Sequence, residues 1–243
     1  MDAVDRNLVF LGGSGSLLAG LTTLFALVYV FGLFGLLGMT DAMLLNPALL
    51  LPWIAAHPVL YSSQFWILLL SLFFLLPVPL ALNERLKTVD AALSKAGAAA
   101  GMAGILISVI GLMLTAASAP VLARAYILPA RYEPATVLLL SEVFERLGLL
   151  LRLCASLFLG AWLAASGIVM LRRLGFSSFL GWFFVALADL ILFTVVARCV
   201  GLFDLEALLS LLLAIAYGWL GIWLLRPSAS QASEVFVRAG RQI

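Results

Sequence analysis

Six long runs of apolar residues constrain this chain more than any other feature of its sequence. A helix needs about 20 apolar residues, at about 1.5 Å each, to cross the roughly 30 Å hydrocarbon layer of a membrane. Runs of this kind lie near residues 17–37, 65–82, 97–117, 153–171, 178–200 and 207–225. They predict an all-α integral membrane protein, a bundle of six transmembrane helices with a polar tail at 227–243. The first run is uncharged from residue 8 to residue 40, so its helix can begin before residue 17.

The composition indicates lipid rather than water as the surrounding medium. Of the 243 residues, 65% are apolar and 11% are charged, against roughly 45–50% and about 25% in soluble domains. The formal net charge is only +2, so no nucleic-acid partner is expected. The N-terminal stretch M-D-A-V-D-R-N has two acids and one base, unlike the basic start of a cleaved signal peptide. We therefore expect the first span to be retained and the lipid bilayer to be a partner.

Basic residues predict the orientation of the bundle, because short cytoplasmic loops collect lysine and arginine. In the six-span arrangement nine basic residues fall on the side of the termini: Arg6, Arg85, Lys87, Lys95, Arg172, Arg173, Arg226, Arg238 and Arg241. The opposite side has Arg124, Arg131, Arg146 and Arg198, with Arg152 just inside the membrane. Both termini are therefore predicted to be cytoplasmic.

Prolines interrupt the chain in two places. Residues 39–64, on the predicted outer side, contain three prolines and are too apolar for a solvated loop, so we expect them to lie along the membrane surface. Pro77 and Pro79, near the cytoplasmic end of span two, predict a kink in that helix. A break of the kind that forms binding sites in transporters is the alternative.

Small residues on three spans predict how the helices pack. The hydrophobic effect does not drive apolar helices together in lipid. Their association depends more on van der Waals packing, which small residues improve by letting the two backbones approach closely. Span three has such residues at alternating spacings of four and three, which keeps them on one face: Gly97, Gly101, Gly104, Ser108 and Gly111. Spans four and six have similar faces: Ser156, Gly160, Ala164 and Gly167, and Ser210, Ala214, Gly218 and Gly221. We expect the three faces to meet at the centre of one bundle rather than to form a dimer interface.

Four charged residues stand in the stretch L-L-L-S-E-V-F-E-R-L-G-L-L-L-R-L-C. At about 100° per residue, Glu142, Glu145, Arg146 and Arg152 share one face of a helix. Counting back from Arg172 places Arg152 at the outer membrane boundary and the other three beyond it. We expect a self-neutralised extension of span four, with the head of Arg152 reaching toward the interface. An anion or lipid-headgroup site is the alternative.

Asp189 is predicted near the middle of span five. A carboxylate at that depth costs about 2.5–3.5 kcal/mol, so we expect it to face the bundle, be protonated or find a partner. Arg152 of the adjacent helix could reach toward it. A structural hydrogen-bonding role is favoured over proton transport, because no relay of further acids accompanies it.

No catalytic, metal or cofactor site is predicted. The G-G-S-G run at residues 12–15 is similar to the nucleophile motif of six-span rhomboid proteases, which pair the serine with a histidine. Ser14 and His57, however, are expected about a bilayer apart. His57 alone is expected to be a capping or interface residue. Cys154 and Cys199 are expected to be small buried residues, with a disulfide as the alternative.

Three stretches resemble the bacterial multi-span family known as domain of unknown function 4386. They are A-A-H-P-V-L-Y at 55–61, L-A-L-N-E-R-L-K-T-V-D at 80–90 and G-F-S-S-F-L-G at 175–181. The chain departs from the family pattern at Asn83, Ser178 and Phe179, where the family has Tyr, Pro and Arg. The resemblance implies a six-helix bundle, and we expect this bundle to lie in the bacterial inner membrane. It implies no activity.

Three classes of function fit these patterns. The first is a non-catalytic accessory or scaffold subunit of a larger assembly with other membrane proteins. The second is a small-solute or proton-coupled carrier, and the third an intramembrane enzyme. We expect the first, because the spans show small-residue faces and few polar groups, whereas a carrier needs several polar groups along a path.

Overall fold

A computed structural model describes residues 3–44, 46–128, 131–172, 177–200 and 205–226, and this part of the chain is helical with no strand. The helices are α1 (Ala3–Val28, continued by a π-helical segment, Tyr29–Phe34), α2 (Asp41–Leu44), α3 (Pro47–Ala56), α4 (Pro58–Leu75), α5 (Val78–Leu86), α6 (Ala91–Tyr126), α7 (Pro134–Leu171), α8 (Ser177–Cys199) and α9 (Glu206–Leu225). The predicted polar tail, 227–243, lies outside the described residues.

Within the described part of the chain, six helical segments are long and apolar enough to cross a membrane, which confirms the predicted fold class. They are Asp5–Phe34, Pro58–Leu86, Ala91–Tyr126, Pro134–Leu171, Ser178–Cys199 and Ala207–Leu225. The first begins earlier than residue 17. α7 has 38 residues, about 57 Å of helix, so it extends well beyond the thickness of a bilayer. We call the end of the bundle where α1 begins and α9 finishes the terminal end, and the opposite end the distal end.

The second span bends at Pro77. α4 ends at Leu75 and α5 begins at Val78, because proline has no backbone N–H and its ring clashes with the preceding turn. The ring of Pro79 packs close to Gly101 of α6. The predicted kink is therefore present, and it fits span two against span three.

The small residues of α6 pack against α7. A Cβ atom on Gly97 would lie 3.0 Å from that of Ala165, and one on Gly104 would lie 2.8 Å from Leu159. On α7, Gly167 in turn lies against the backbone of Gly181 in α8. The small faces of spans three and four thus form one tight layer, α6–α7–α8.

The small face of α9 does not join that layer, and the expectation of one common centre is wrong. Gly221 packs against Leu17 and the carbonyl of Gly13, while Gly20 packs against Ala214. These contacts join α9 to α1 in an antiparallel pair. The physical reason is that α1 has its own series of small residues, so it can approach α9 more closely than the bulkier faces elsewhere.

At the distal end, α3 covers the extensions of α6 and α7. Its buried residues Leu51, Trp53 and Ile54 pack with Leu122 and Val137 in a separate apolar cluster. Trp53 also donates a hydrogen bond to the carbonyl of Leu37. The described residues of the range 39–64 therefore form part of a packed distal layer, and residues 58–64 already belong to α4.

Cys154 and Cys199 are free thiols and both are exposed. The expectation that they are buried is wrong, because both side chains lie on helix faces that point away from the bundle. The alternative of a disulfide is not observed either.

Candidate functional site

All six spans line one cavity of about 190 Å³ in the bundle. Each span contributes at least one polar residue to it: Thr23 of α1, Ser71 of α4, Ser108 of α6, Arg152 and Ser156 of α7, Thr194 and Arg198 of α8, and Ser210 and Tyr217 of α9. The other lining residues are leucine, isoleucine and valine. We call this the central cavity. Sequence reasoning missed it, because its hydroxyl groups are scattered singly over different helices.

The position of Ser108 shows how the cavity arises locally. Gly104 and Gly111, on the same face of α6, lie against Leu159 and Leu151 of α7. Ser108, between them, lines the cavity instead. Ser108, which was predicted to pack against another helix, therefore lies where α6 and α7 separate to form the cavity.

Most of the hydroxyl protons in the cavity are already used by the protein. Ser156 donates to the carbonyl of Arg152 and Thr194 to that of Leu190, each at 2.8 Å. Ser71 donates to the carbonyl of Ala19 at 2.9 Å. Since Ser71 has only one proton, Thr23 must be the donor in the 2.8 Å bond between these two hydroxyls. These four groups can therefore accept hydrogen bonds from a solute but not donate them.

Two arginines stand where the central cavity meets a second one. Arg152 and Arg198 line the central cavity and also a larger space of about 580 Å³ at the distal end. The remaining residues of this charged vestibule are Pro47, Glu142, Glu145, Arg146 and Leu149. The structure thus brings together Glu142, Glu145, Arg146 and Arg152 of α7 and adds Arg198 of α8, which the sequence pattern did not link with them.

The charges of the vestibule differ in their surroundings. Glu142 and Arg146 form an ion pair at 2.5 Å, and both side chains are exposed. The Nε atom of Arg152, by contrast, is buried and has no hydrogen-bond partner among the described residues. A buried guanidinium N–H without an acceptor is costly, so this atom favours an incoming acceptor.

Asp189 lies elsewhere. Its side chain is exposed and lines a separate groove of about 260 Å³ between α7 and α8, together with Gly160 and Ala164. It does not face the central cavity, and no ion pair with Arg152 is present among the described residues. Asp189 faces away from the central cavity because nine residues separate it from Arg198, which lines the cavity. At about 100° per residue this spacing places the two side chains on opposite faces of α8.

The G-G-S-G run of α1 is a packing motif. Gly12 lies against Ala81 of α5, and Gly15 lies against the carbonyl of Phe74 in α4. His57 is 17 residues before Phe74, about 25 Å along the helix. Its ring lies against that of Trp53, with the ring centres 4.8 Å apart and the planes tilted by 33°, and its Nδ1 atom is 3.1 Å from the carbonyl of that residue. The described residues contain no cluster of three or more His, Cys, Asp or Glu that could hold a metal.

Residues 18–226 match the family described as Domain of unknown function (DUF4386). The chain belongs to the DUF4386 family. The matched region runs from α1 to just beyond α9 and includes every residue that lines the central cavity. Comparison with the curated proteins and with the solved structures gives no match.

The stretch 80–90, which resembles the DUF4386 pattern, holds the terminal end of the bundle together. Arg85 donates hydrogen bonds to the carbonyls of Leu224 and Arg226, each at 2.7 Å. Asp90 accepts from the backbone N–H of Leu93, which caps α6, and forms an ion pair with Arg172 at the end of α7. This part of the DUF4386 motif is therefore structural, and it lies apart from the central cavity.

Proposed function

We propose that this protein is a non-enzymatic carrier that moves a small solute across the inner membrane through the central cavity. A single observation supports the proposal: all six spans place polar groups on one cavity, and two of these groups also line the vestibule. A carrier needs such a path of polar groups within the membrane. The vestibule leads from the distal surface to the cavity, so we place the solute site at their junction.

The accessory-subunit hypothesis becomes the weaker alternative. A subunit would need surfaces free for other proteins, and small-residue faces are typical of such contacts between membrane helices. Here the faces of α6, α7 and α9 are used inside the bundle. We therefore propose the lipid bilayer as the main partner of the outer surface.

Cysteine labelling tests the carrier function. In a background with Cys154→Ser and Cys199→Ser, we expect Ser210→Cys to react with a membrane-impermeant methanethiosulfonate both in intact cells and in inverted membrane vesicles. Alternating exposure of one site to the two sides of the membrane is what a carrier requires. Reaction from one side only, or from neither, would refute the proposal. The matched control is Ile215→Cys, an exposed position on the same helix that does not line the cavity, and it should not react from either side.

The same reagent tests the orientation that we propose, with both termini in the cytoplasm. Lys95, at the terminal end, and Arg146, at the distal end, are both exposed. In the same cysteine-free background, we expect Arg146→Cys to react in intact cells and Lys95→Cys to react only in inverted vesicles, because basic residues are concentrated at the terminal end. The reverse pattern would show that the distal end is cytoplasmic.

A further inference from the structure

The groove that contains Asp189 lies on the outer surface of the bundle, between α7 and α8. We call it the lateral groove, and its volume is about 260 Å³. Three buried residues form its floor: Gly160, Ala188 and Ile191. Exposed residues form its rim: Leu157 and Ala161 on α7, and Asp189 and Leu192 on α8. Since both helices span the membrane, the lateral groove opens toward lipid.

Asp189 is the one charged residue among the described residues that line the lateral groove. α8 runs from Ser177 to Cys199, so the carboxyl group stands close to the middle of the span. A carboxylate at that depth costs about 2.5–3.5 kcal/mol. Within the described part of the chain, no hydrogen bond or ion pair of Asp189 offsets this cost. An intramembrane acid in such a place is a candidate binding group for a positively charged partner.

The charge and the depth of Asp189 favour an ammonium group as its partner. The attraction between opposite charges rises as the dielectric constant falls, so it is far stronger in a membrane groove than in water. A hydrogen bond from an ammonium to a carboxylate is also stronger than one between neutral groups. Arg152 of α7 and Arg198 of α8 line the central cavity instead. We therefore look for the cation among molecules dissolved in the membrane.

The shape of the lateral groove favours a slender apolar chain. Leu157 is 46% exposed and Leu192 is 53% exposed, so both project from the surface beside the small residues of the floor. A transmembrane helix is about 10–12 Å wide with its side chains, and it would rest on these leucines rather than on the floor. The volume of the groove lies just below the range of about 300–1,000 Å³ that is typical of drug-sized ligands. A single alkyl chain suits this space better than a helix.

We propose that the lateral groove binds a membrane-dissolved primary amine with one apolar chain. The ammonium group pairs with Asp189, and the chain lies over Gly160 and Ala188, between Leu157 and Leu192. This inference is independent of the proposed carrier function, because Asp189 does not face the central cavity. It assigns Asp189 as a binding residue, where the sequence favoured a structural hydrogen bond.

Binding of radiolabelled dodecylamine to the purified protein in phosphatidylcholine nanodiscs tests this inference. We expect saturable binding above that of empty nanodiscs. Unlabelled dodecylamine, dodecanol and dodecanoate serve as competitors, because they share one chain length and differ in charge. Dodecanol and dodecanoate should need a concentration roughly tenfold higher or more for half displacement, since neither can form the ion pair. Equal displacement by either of them, or the absence of saturable binding, would overturn the inference.

Two variants locate the binding site. We expect Asp189→Asn to raise the half-saturating dodecylamine concentration by roughly tenfold or more, since a hydrogen bond between charged groups is lost. Ala161→Phe fills the rim of the groove and should weaken binding to a similar extent, which keeps the test valid if Asp189→Asn fails to fold. The matched control is Ala117→Phe, at an exposed alanine of α6 that does not line the groove. Unchanged affinity in Asp189→Asn, or equal effects of the two phenylalanine variants, would contradict the assignment.

The mass of the protein in mild detergent, measured by light scattering, distinguishes other occupants of the lateral groove. A dimer that dissociates in Asp189→Asn, without saturable amine binding, would assign the groove to a second copy of the chain and overturn the inference. A different polypeptide that is lost from the preparation in Asp189→Asn, again without amine binding, would overturn it as well. We expect the mass to be the same with Asp or Asn at position 189.

Discussion

The variant Arg85→Ala is expected to lose about 2–3 kcal/mol of stability, because two charge-assisted hydrogen bonds disappear together. Arg85 donates to the carbonyls of Leu224 and Arg226 at the end of α9. The last carbonyls of a helix have no partner within the helix, so a side chain that binds them stabilises its end. The guanidinium group also lies 5.7 Å from the centre of the Trp223 ring, which adds a smaller cation–π contribution.

Unfolding of the purified protein in mixed micelles, by increasing the fraction of sodium dodecyl sulfate, measures this change. Arg146→Ala is the control, because it also removes an arginine from a short hydrogen bond, but one between two exposed side chains. Such a pair contributes about 0–1 kcal/mol. Equal losses in the two variants would show that the contact of Arg85 with α9 does not stabilise the bundle.

The variant Gly221→Ala is expected to destabilise the protein by about 1–3 kcal/mol through overpacking. The added methyl group would lie 2.7 Å from the carbonyl oxygen of Gly13 and 2.9 Å from the backbone nitrogen of Leu17. Backbone atoms of α1 cannot move aside as the end of a flexible side chain can. The two helices must therefore separate, and the close contacts along the α1–α9 pair are lost.

Gly218→Ala provides a control on the same helix, three residues away. A methyl group at Gly218 meets nothing within 4 Å, and alanine is favoured over glycine in a helix by about 0.5–1 kcal/mol. We expect this variant to be as stable as the original chain or slightly more stable in the same unfolding measurement. If both variants behave alike, close packing of α9 on α1 does not contribute to stability.

The spans could be predicted from the sequence because the thickness of a bilayer and the rise of a helix set a length that the apolar runs either reach or do not. The partners of each helix face could not be predicted in this way. The spacing of Gly218 and Gly221 identifies a face of small residues on α9, but it does not indicate which helix packs against that face. Of the covering residues of α1, Gly13 belongs to the G-G-S-G run that suggested a comparison with proteases, and Gly20 lies five residues after that run.

Some features of the candidate site could likewise be predicted from the sequence, and others could not. The four charges of α7 share a face by simple angular counting, and the structure places all of them in one vestibule. The expectation that Arg152 could reach Asp189 considered only the depth of the two residues in the membrane. The face of α8 on which a residue lies also decides which groups its side chain can reach. Arg198 lies on the opposite face of α8 from Asp189, and this angle was available in the sequence. The hydroxyls of the central cavity carried no such signal, because single serines and threonines are common in apolar helices.

Most of the close glycine contacts lie within one of two halves of the bundle, and the contact of Gly101 in α6 with Pro79 in α5 joins the halves. One half is α1 with α9 and the bent span α4–α5, and the other is α6, α7 and α8. Arg85 ties together members of the first half, and the Asp90–Arg172 pair ties together members of the second. Since the central cavity lies at the boundary, a rocking motion of a few degrees between the halves would widen it on one side of the membrane and narrow it on the other. Such a motion leaves the close glycine contacts within each half intact.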